Sequence, residues 1–341
     1  MKALLLEIEL SKDYLAGESI ETIYFGGGTP SLLSADEIKS IVHKIQNIHQ
    51  FSHLREFTLE ANPDDLDAQK IIELSALKEI GLNRFSIGVQ SFFDEDLKYM
   101  NRAHTSGEAT AAIKRTQDAG FENITLDLIY GTPTMNDAHW LQNLNTAFAF
   151  NIPHISSYAL TVEAKTTLEN RIKKGKSAVV DEEQASRQFD ILIHEMNRQN
   201  YDQYEISNFA KDGNYAIHNT SYWQQKKYLG LGPSAHSYNG NSRRWNVANN
   251  LTYIKSVSES KIPFEEEQLT SEQQANEYIM TSLRTMWGLD LKQLSVGSFQ
   301  LSVLESLKTV DANFYVLEND IITLTQKGKH FADRIASDLF L

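Results

Sequence analysis

Four short polar runs in this sequence carry residue types that do chemistry. They are Gly26-Gly27-Gly28-Thr29-Pro30-Ser31, Glu60-Ala61-Asn62-Pro63, Gly88-Val89-Gln90-Ser91, and a run in which Asp127 precedes Gly131-Thr132-Pro133. A fifth stretch adds Ser156, Tyr158 and Ala159. Three successive glycines let a ligand approach the main chain, and exposed amides there can receive a carboxylate. Glu60 can accept from ribose hydroxyls or an ammonium group. Gln90, Arg102 and Asp127 supply the remaining donors and acceptors for a polar, charged small molecule. Any one run also fits an ordinary strand-end turn; the four together point to a binding site.

Each run follows a β-like segment. Such segments start at residues 20, 56, 84, 124 and 154, which is 28 to 40 residues apart. Helical patterns fill the gaps: one opens at Ser34 with Ile38, Ile41, Val42 and Ile45 on one side, and others cover 65–80, 105–119 and 137–148. Gly81 and Gly120 stop two of them. This is the rhythm of βα units on a parallel sheet, where functional groups collect at the strand ends. The chain opens on a helical pattern over residues 1–15, so the series reads as one whose first strand is missing. A helix over 181–200 and a strand over 202–207 follow. Residues 208–250 are weakly periodic, as a functional loop region would be. Helices over 273–286 and 301–310, a hairpin over 315–324 turning at Asn319-Asp320, and a last helix from Thr325 suggest a small winged-helix-like module.

Other readings of these residues fail on detail. A phosphate loop needs Gly-Lys-Ser/Thr, whereas Gly28 is followed by Thr29-Pro30. Gly230-Leu231-Gly232-Pro233-Ser234-Ala235 matches a dinucleotide pattern but lacks a βαβ frame and an acid near residue 255. His194-Glu195 starts a zinc-protease motif that Arg198 ends. The 341 residues hold 32 Lys plus Arg against 45 Asp plus Glu, a net charge of −13, which disfavours nucleic acid and anionic membranes as partners. No apolar run approaches the roughly 18 residues of a membrane span, and Glu7 and Glu9 interrupt any signal-peptide core. The expected location is the cytoplasm. There is no cysteine, hence no thiolate for nucleophilic catalysis, zinc or iron–sulfur ligation in the chain as written.

Read in order, these motifs resemble the radical S-adenosylmethionine superfamily, and within it the HemN/HemW branch. The matching text is Tyr24-Phe25-Gly26-Gly27-Gly28-Thr29-Pro30-Ser31, Glu60-Ala61-Asn62-Pro63, Ser86-Ile87-Gly88-Val89-Gln90-Ser91, Asn101-Arg102 and Asp127-Leu128-Ile129-Tyr130-Gly131. It continues through Tyr204-Glu205-Ile206-Ser207-Asn208-Phe209-Ala210 and Tyr228-Leu229-Gly230 to Leu283-Arg284 and Leu324-Thr325-Gln326-Lys327-Gly328. His218-Asn219-Thr220-Ser221-Tyr222-Trp223 is similar to the HNxxYW signature of the branch's haem chaperones.

The resemblance implies an α/β fold: a partial (β/α)6-type TIM barrel lacking its first strand, with a small C-terminal helical or winged-helix-like domain. Its parts would be a barrel over 1–165, a connecting region with the haem motif over 166–265, and a C-terminal domain over 266–341. It implies a haem-binding chaperone that delivers haem to acceptor proteins; the alternative is an oxygen-independent coproporphyrinogen III oxidase. Gly27, Gly28, Thr29, Glu60, Gln90, Arg102, Asp127 and Ala159 would bind S-adenosylmethionine. His218, Asn219, Tyr222 and Trp223 would contact haem, with His218 as ligand to its iron. The family also carries a [4Fe–4S] cluster on a CxxxCxxC loop after its first strand. This chain has no such cysteines, so its first Met is expected to be an internal Met of a longer gene that encodes the strand and loop ahead of it, and radical catalysis is not expected of the chain as written.

Overall fold

The computed structural model describes residues 1–341 except Ser52 and residues 295–297. Its helices are α1 (Lys2–Leu10), α2 (Ala35–Ile48), α3 (Ala68–Ser75), α4 (Asp94–Tyr99), α5 (Ser106–Asp118), α6 (Asp137–Ala149) and α7 (Thr167–Lys173). They continue with α8 (Glu182–Arg198), α9 (Ile217–Trp223), α10 (Asn250–Ser258), α11 (Ser271–Leu283), α12 (Phe299–Leu307), α13 (Gln326–Lys329) and α14 (Ala332–Asp338). The strands are β1 (Thr22–Phe25), β2 (Glu56–Ala61), β3 (Arg84–Gln90), β4 (Asn123–Tyr130), β5 (His154–Ala159), β6 (Asp202–Glu205) and β7 (Asn208–Ala210). Six more follow: β8 (His236–Tyr238), β9 (Ser242–Asn246), β10 (Phe264–Gln268), β11 (Leu289–Asp290), β12 (Tyr315–Glu318) and β13 (Ile321–Leu324). No helix among the described residues is long and apolar enough to cross a membrane.

The chain forms two compact units. The sheet unit comprises Thr22–Ala35 and Glu56–Ala216; the terminal unit comprises Met1–Glu21, Asp36–Arg55 and Ile217–Leu341. In the sheet unit, seven strands run in the order β1-β2-β3-β4-β5-β7-β6. The first five are parallel, and β7 and β6 close the series antiparallel. The sheet therefore reaches Ala210, past residue 165 where the barrel was expected to end.

Alternate residues of a strand point to opposite faces. One face here is aliphatic and aromatic: Ile23, Phe57, Leu59, Phe85, Ile87, Ile124, Leu126 and Ile155 are all buried. On this architecture α5 packs on β3 and α8 on β4. The opposite positions hold Glu56, Thr58, Arg84, Ser86, Thr125, His154 and Ser156, also buried. Parallel sheets are ordinarily apolar on both faces. A polar second face is the fold's main departure from that rule, and it lies beneath the polar strand ends.

The expected strands over 56–61 and 84–90 coincide with β2 and β3, and the helix over 105–119 with α5, which Thr105 opens in a reciprocal capping box with Glu108. The helix expected over 65–80 is divided: α3 passes into a 3₁₀ turn over Ala76–Ile80, ended by Gly81 at φ 100°. In the terminal unit, Asn319 (φ 53°) and Asp320 (φ 66°) make the left-handed turn between β12 and β13 that their sequence predicted.

Residues 208–250 are more regular than expected, since they contain α9, β8 and β9, with β9 paired to both β8 and β10. Their periodicity is hidden because the buried positions of β9 are polar: Ser242, Arg244 and Asn246. Asn246 is met by Glu7, whose fully buried carboxylate accepts from Asn246 Nδ2 (2.5 Å), Gly232 N (2.7 Å) and Tyr253 Oη (2.5 Å). The Gly230–Ala235 loop is thus a structural crossing rather than a dinucleotide loop. The Gly232 amide is taken by Glu7, and a Cβ at Gly230 would overlap the His236 carbonyl oxygen. His194 is exposed, and its neighbour Glu195 pairs with Arg198 at 2.6 Å.

Candidate functional site

The glycine run leaves β1 and is held from below. Tyr24 donates its hydroxyl to Glu60 Oε1, and Gly27 N donates to Glu60 Oε2 at 3.1 Å. Ser31 Oγ donates to Asp65 at 2.7 Å, which ties the loop to the turn after β2. Gly26 has no room for a side chain, because a Cβ would strike the Tyr24 ring and the Glu60 carboxyl. Gly27 (φ 77°) and Gly28 are the reverse: nothing lies within 4 Å of where their Cβ atoms would be. Their backbone faces open space, available to a ligand. Thr29 follows at the head of a 3₁₀ turn, half-buried.

Gln90 ends β3 at φ 65°, in the left-handed region that non-glycine residues rarely occupy. It sits at the register shift between β3 and β4, and its Nε2 lies 3.0 Å from where a Cβ on Gly88 would be. A side chain at Gly88 would have to push that amide aside by a few tenths of an ångström. The residue is only 7% exposed, and among the described residues its side-chain amide has no hydrogen-bond partner. A strained strand-end residue whose side-chain amide is not sealed from solvent is open to a ligand.

Asp127, on β4, receives Ser86 Oγ at 3.3 Å. Burial, and secondly the charge of Glu60, push its carboxyl up to about 7; hydrogen bonds from Ser86 and Ser156 and the charge of Arg84 act the other way. Arg102 stays solvent-accessible, with Asp127 and Asp64 as its electrostatic neighbours. Ala159 closes β5, exposed. Glu60, Gln90, Arg102 and Asp127 are thus brought to one end of the sheet with the open glycines, as expected from the sequence.

Sequence reasoning missed the layer below. Buried Arg84 pairs with buried Glu56 at 3.9 Å and donates to Thr125 Oγ1. Thr125 Oγ1 lies 3.1 Å from His154 Nδ1, and His154 Nε2 lies 2.7 Å from Tyr204 Oη. Ser156 Oγ donates to Asn208 at 2.8 Å. The signal was present as strict alternation in Glu56-Phe57-Thr58-Leu59-Glu60 and Arg84-Phe85-Ser86-Ile87, with the polar phase reading inward.

In the terminal unit, α9 carries the other candidate residues. His218 and Tyr222 are four apart on one helix face; His218 Nε2 lies 2.9 Å from Tyr222 Oη, and the rings meet edge-on at 5.0 Å. Tyr222 in turn meets Tyr228 edge-on at 4.7 Å, and Tyr228 bridges Tyr238 through paired backbone hydrogen bonds of 2.9 Å. Tyr222 is 40% exposed and His218 half-buried. Trp223 turns away from this face and lies under the Arg284 guanidinium, 5.5 Å from its ring centroid. Asn219 is half-buried on the same helix.

Residues 6–147 match the model of the radical SAM superfamily. The chain is 38% identical over 324 residues to the haem chaperone HemW of Bacillus subtilis, covering 93% of this chain and 84% of that protein. It is 30% identical over 338 residues to the haem chaperone HemW of Mycobacterium tuberculosis, covering 99% and 85%. In fold it matches the coproporphyrinogen III oxidase HemN of Escherichia coli, a radical SAM enzyme, with a TM-score of 0.84 over 99% of this chain and 82% of that one, at 21% identity. The chain belongs to the HemN/HemW branch of the radical S-adenosylmethionine superfamily.

The family's two cofactors fare differently against these residues. The open Gly27-Gly28 backbone, the unpaired Gln90 amide and the Glu60 and Asp127 carboxyls suit the amino acid and ribose groups of S-adenosylmethionine. A [4Fe–4S] cluster needs thiolates, and these 341 residues contain none. Among the described residues no group of three or more His, Cys, Asp or Glu is arranged to hold a metal ion. The residues present do not fit the cluster.

Proposed function

We propose that this protein is a haem-binding chaperone: it takes haem as cargo on α9 and passes it to haem-accepting proteins in the cytoplasm. The observation that carries this reading is the His218–Tyr222 pair. An imidazole nitrogen with a lone pair is a strong axial ligand for haem iron, and here it is half-buried among tyrosines whose rings can cover a porphyrin. Membership of the branch supports it, because relatives that align over most of their length are haem chaperones by name. S-adenosylmethionine, which supplies a sulfonium, would be held at the sheet's polar end. Gly27, Gly28 and Thr29 would receive its methionine part, Glu60, Gln90, Arg102 and Asp127 its polar groups, and Ala159 would line the site.

The test is a haemin titration followed in the Soret band, with His218→Ala beside the parent chain. Saturable binding of one haem that weakens at least tenfold in the variant supports the reading, as does handover of the bound haem to an added apo haem protein. Equal binding by both chains removes His218 as ligand.

A further inference from the structure

Gln90 presents its side chain from a backbone turn that residues with side chains avoid. Ser91 N donates to the Val89 carbonyl at 2.8 Å, across a Gln90 whose φ is 65°. That is the three-residue turn of the rarer, strained hand. Such a turn persists where its surroundings fix it on both sides. After Gln90, Ser91 Oγ donates to Asp96 Oδ2 at 2.7 Å, and Phe92 N donates to Asn143 Oδ1 at 2.7 Å.

Before Gln90 the fixing group is one imidazole. His104 Nε2 lies 3.0 Å from the Val89 carbonyl oxygen. A carbonyl oxygen can only accept, so Nε2 carries the proton and donates it. This carbonyl belongs to the planar peptide that joins Val89 to Gln90, and the bond therefore sets the plane from which Gln90 departs. The other ring nitrogen, Nδ1, lies 3.8 Å from Asp64 Oδ1, in the turn that follows β2.

The same histidine sits in the run that carries Arg102. Asn101, Arg102, Ala103 and Thr105 are all exposed, whereas His104 is 3% exposed. Asn101 turns left-handed at φ 58°, and Arg102 N donates to Leu97 O at 2.8 Å. His104 is thus the inward anchor of a surface run whose Arg102 has Asp127 and the same Asp64 as electrostatic neighbours.

We infer that His104 is a positioning residue of the S-adenosylmethionine site: through the Val89 carbonyl it holds Gln90 in its left-handed turn, and through the run it anchors it sets where Arg102 stands. The inference rests on the S-adenosylmethionine reading above. It adds a residue that acts on the ligand only through its neighbours.

The experiment joins calorimetric titration of S-adenosylmethionine to hydrogen exchange of the Ser91 amide in the ligand-free chain. His104→Leu keeps the bulk and loses the donor. It should weaken binding about tenfold and speed Ser91 exchange about tenfold, with the amides of β4 unchanged. His104→Gln, whose side-chain amide can donate to the same carbonyl, should stay within about twofold of the parent in both. A double-mutant cycle separates positioning from general support. Gln90→Ala alone should cost about tenfold, and adding His104→Leu should cost only about threefold more, the share carried through Arg102. A loss of about a hundredfold in the double variant, parent-like binding by His104→Leu, or a His104→Gln no better than His104→Leu would overturn the inference. So would exchange that rises equally across the sheet unit. A parent chain that does not bind S-adenosylmethionine would instead overturn the reading on which the inference rests.

Discussion

Two tyrosine–histidine pairs in this protein have almost the same geometry and opposite surroundings. His154 Nε2 and Tyr204 Oη are 2.7 Å apart in the interior of the sheet unit, where both residues have no accessible surface. His218 Nε2 and Tyr222 Oη are 2.9 Å apart on α9, where Tyr222 is 40% exposed. Burial, and secondly the charge of Arg84, hold His154 well below the ordinary histidine range, so it is a fixed neutral link in a chain from Glu56 to Tyr204. Opening that pair would strand a buried nitrogen. Opening the α9 pair exposes polar atoms that lie at the surface already, so it strands no buried group. On the proposed reading, the same two side chains are scaffold in one place and an exchangeable ligand set in the other, and their difference in burial fits that division.

The comparison can be broken by making the same substitution twice. Tyr204→Phe should cost about 1–3 kcal/mol, because His154 Nε2 is left buried without a partner; urea unfolding measures it. Equal stability of parent and variant would mean that the buried chain is not a support. Next in size is Glu60→Gln, which removes the charge anchored by Tyr24 and Gly27. It should weaken S-adenosylmethionine binding about tenfold by calorimetry while leaving haemin binding unchanged.

Asp127 sharpens the contrast through pH. Its folded value of about 7 lies above the unfolded 3.8, so the native state holds this proton more tightly. The stability it contributes is complete below 3.8 and is lost as pH rises through 7. The groups that set it are Glu60, Arg84, Ser86 and Ser156, with Arg102 nearby. Asp127→Asn should therefore gain on the parent by about 1–2 kcal/mol between about pH 5 and pH 9. A parallel pair of stability curves would contradict it. The smallest effect belongs to Tyr222→Phe: stability within about 0.5 kcal/mol of the parent, and haemin binding about two- to fivefold tighter, since the hydroxyl no longer competes with iron for His218 Nε2.

Much of the sheet unit was legible because its strands are apolar on one face and β1, β2 and β4 run into glycine or proline, signals that act within a few residues. The four polar ends converge because parallel strands end on the same side. What escaped was non-local or short. Glu7 finds its partners 225 to 246 residues away, at Gly232, Asn246 and Tyr253, and nothing near it in the chain announces them. The buried residues of β9 are polar, so no apolar period marks the strand. The helices α4 and α7, of 6 and 7 residues, are too brief for a helical period to emerge. For the haem motif, the sequence showed which residues to expect together, and only the structure separated the His218–Tyr222 face from Trp223, which lies under Arg284.

The most direct test titrates haemin and S-adenosylmethionine separately into His218→Ala and Glu60→Gln. The account predicts that each variant loses only its own ligand: His218→Ala weakens haemin binding at least tenfold and spares S-adenosylmethionine, and Glu60→Gln does the opposite. Haemin binding by His218→Ala with the parent's affinity and Soret band would contradict the assignment of the cargo site to α9.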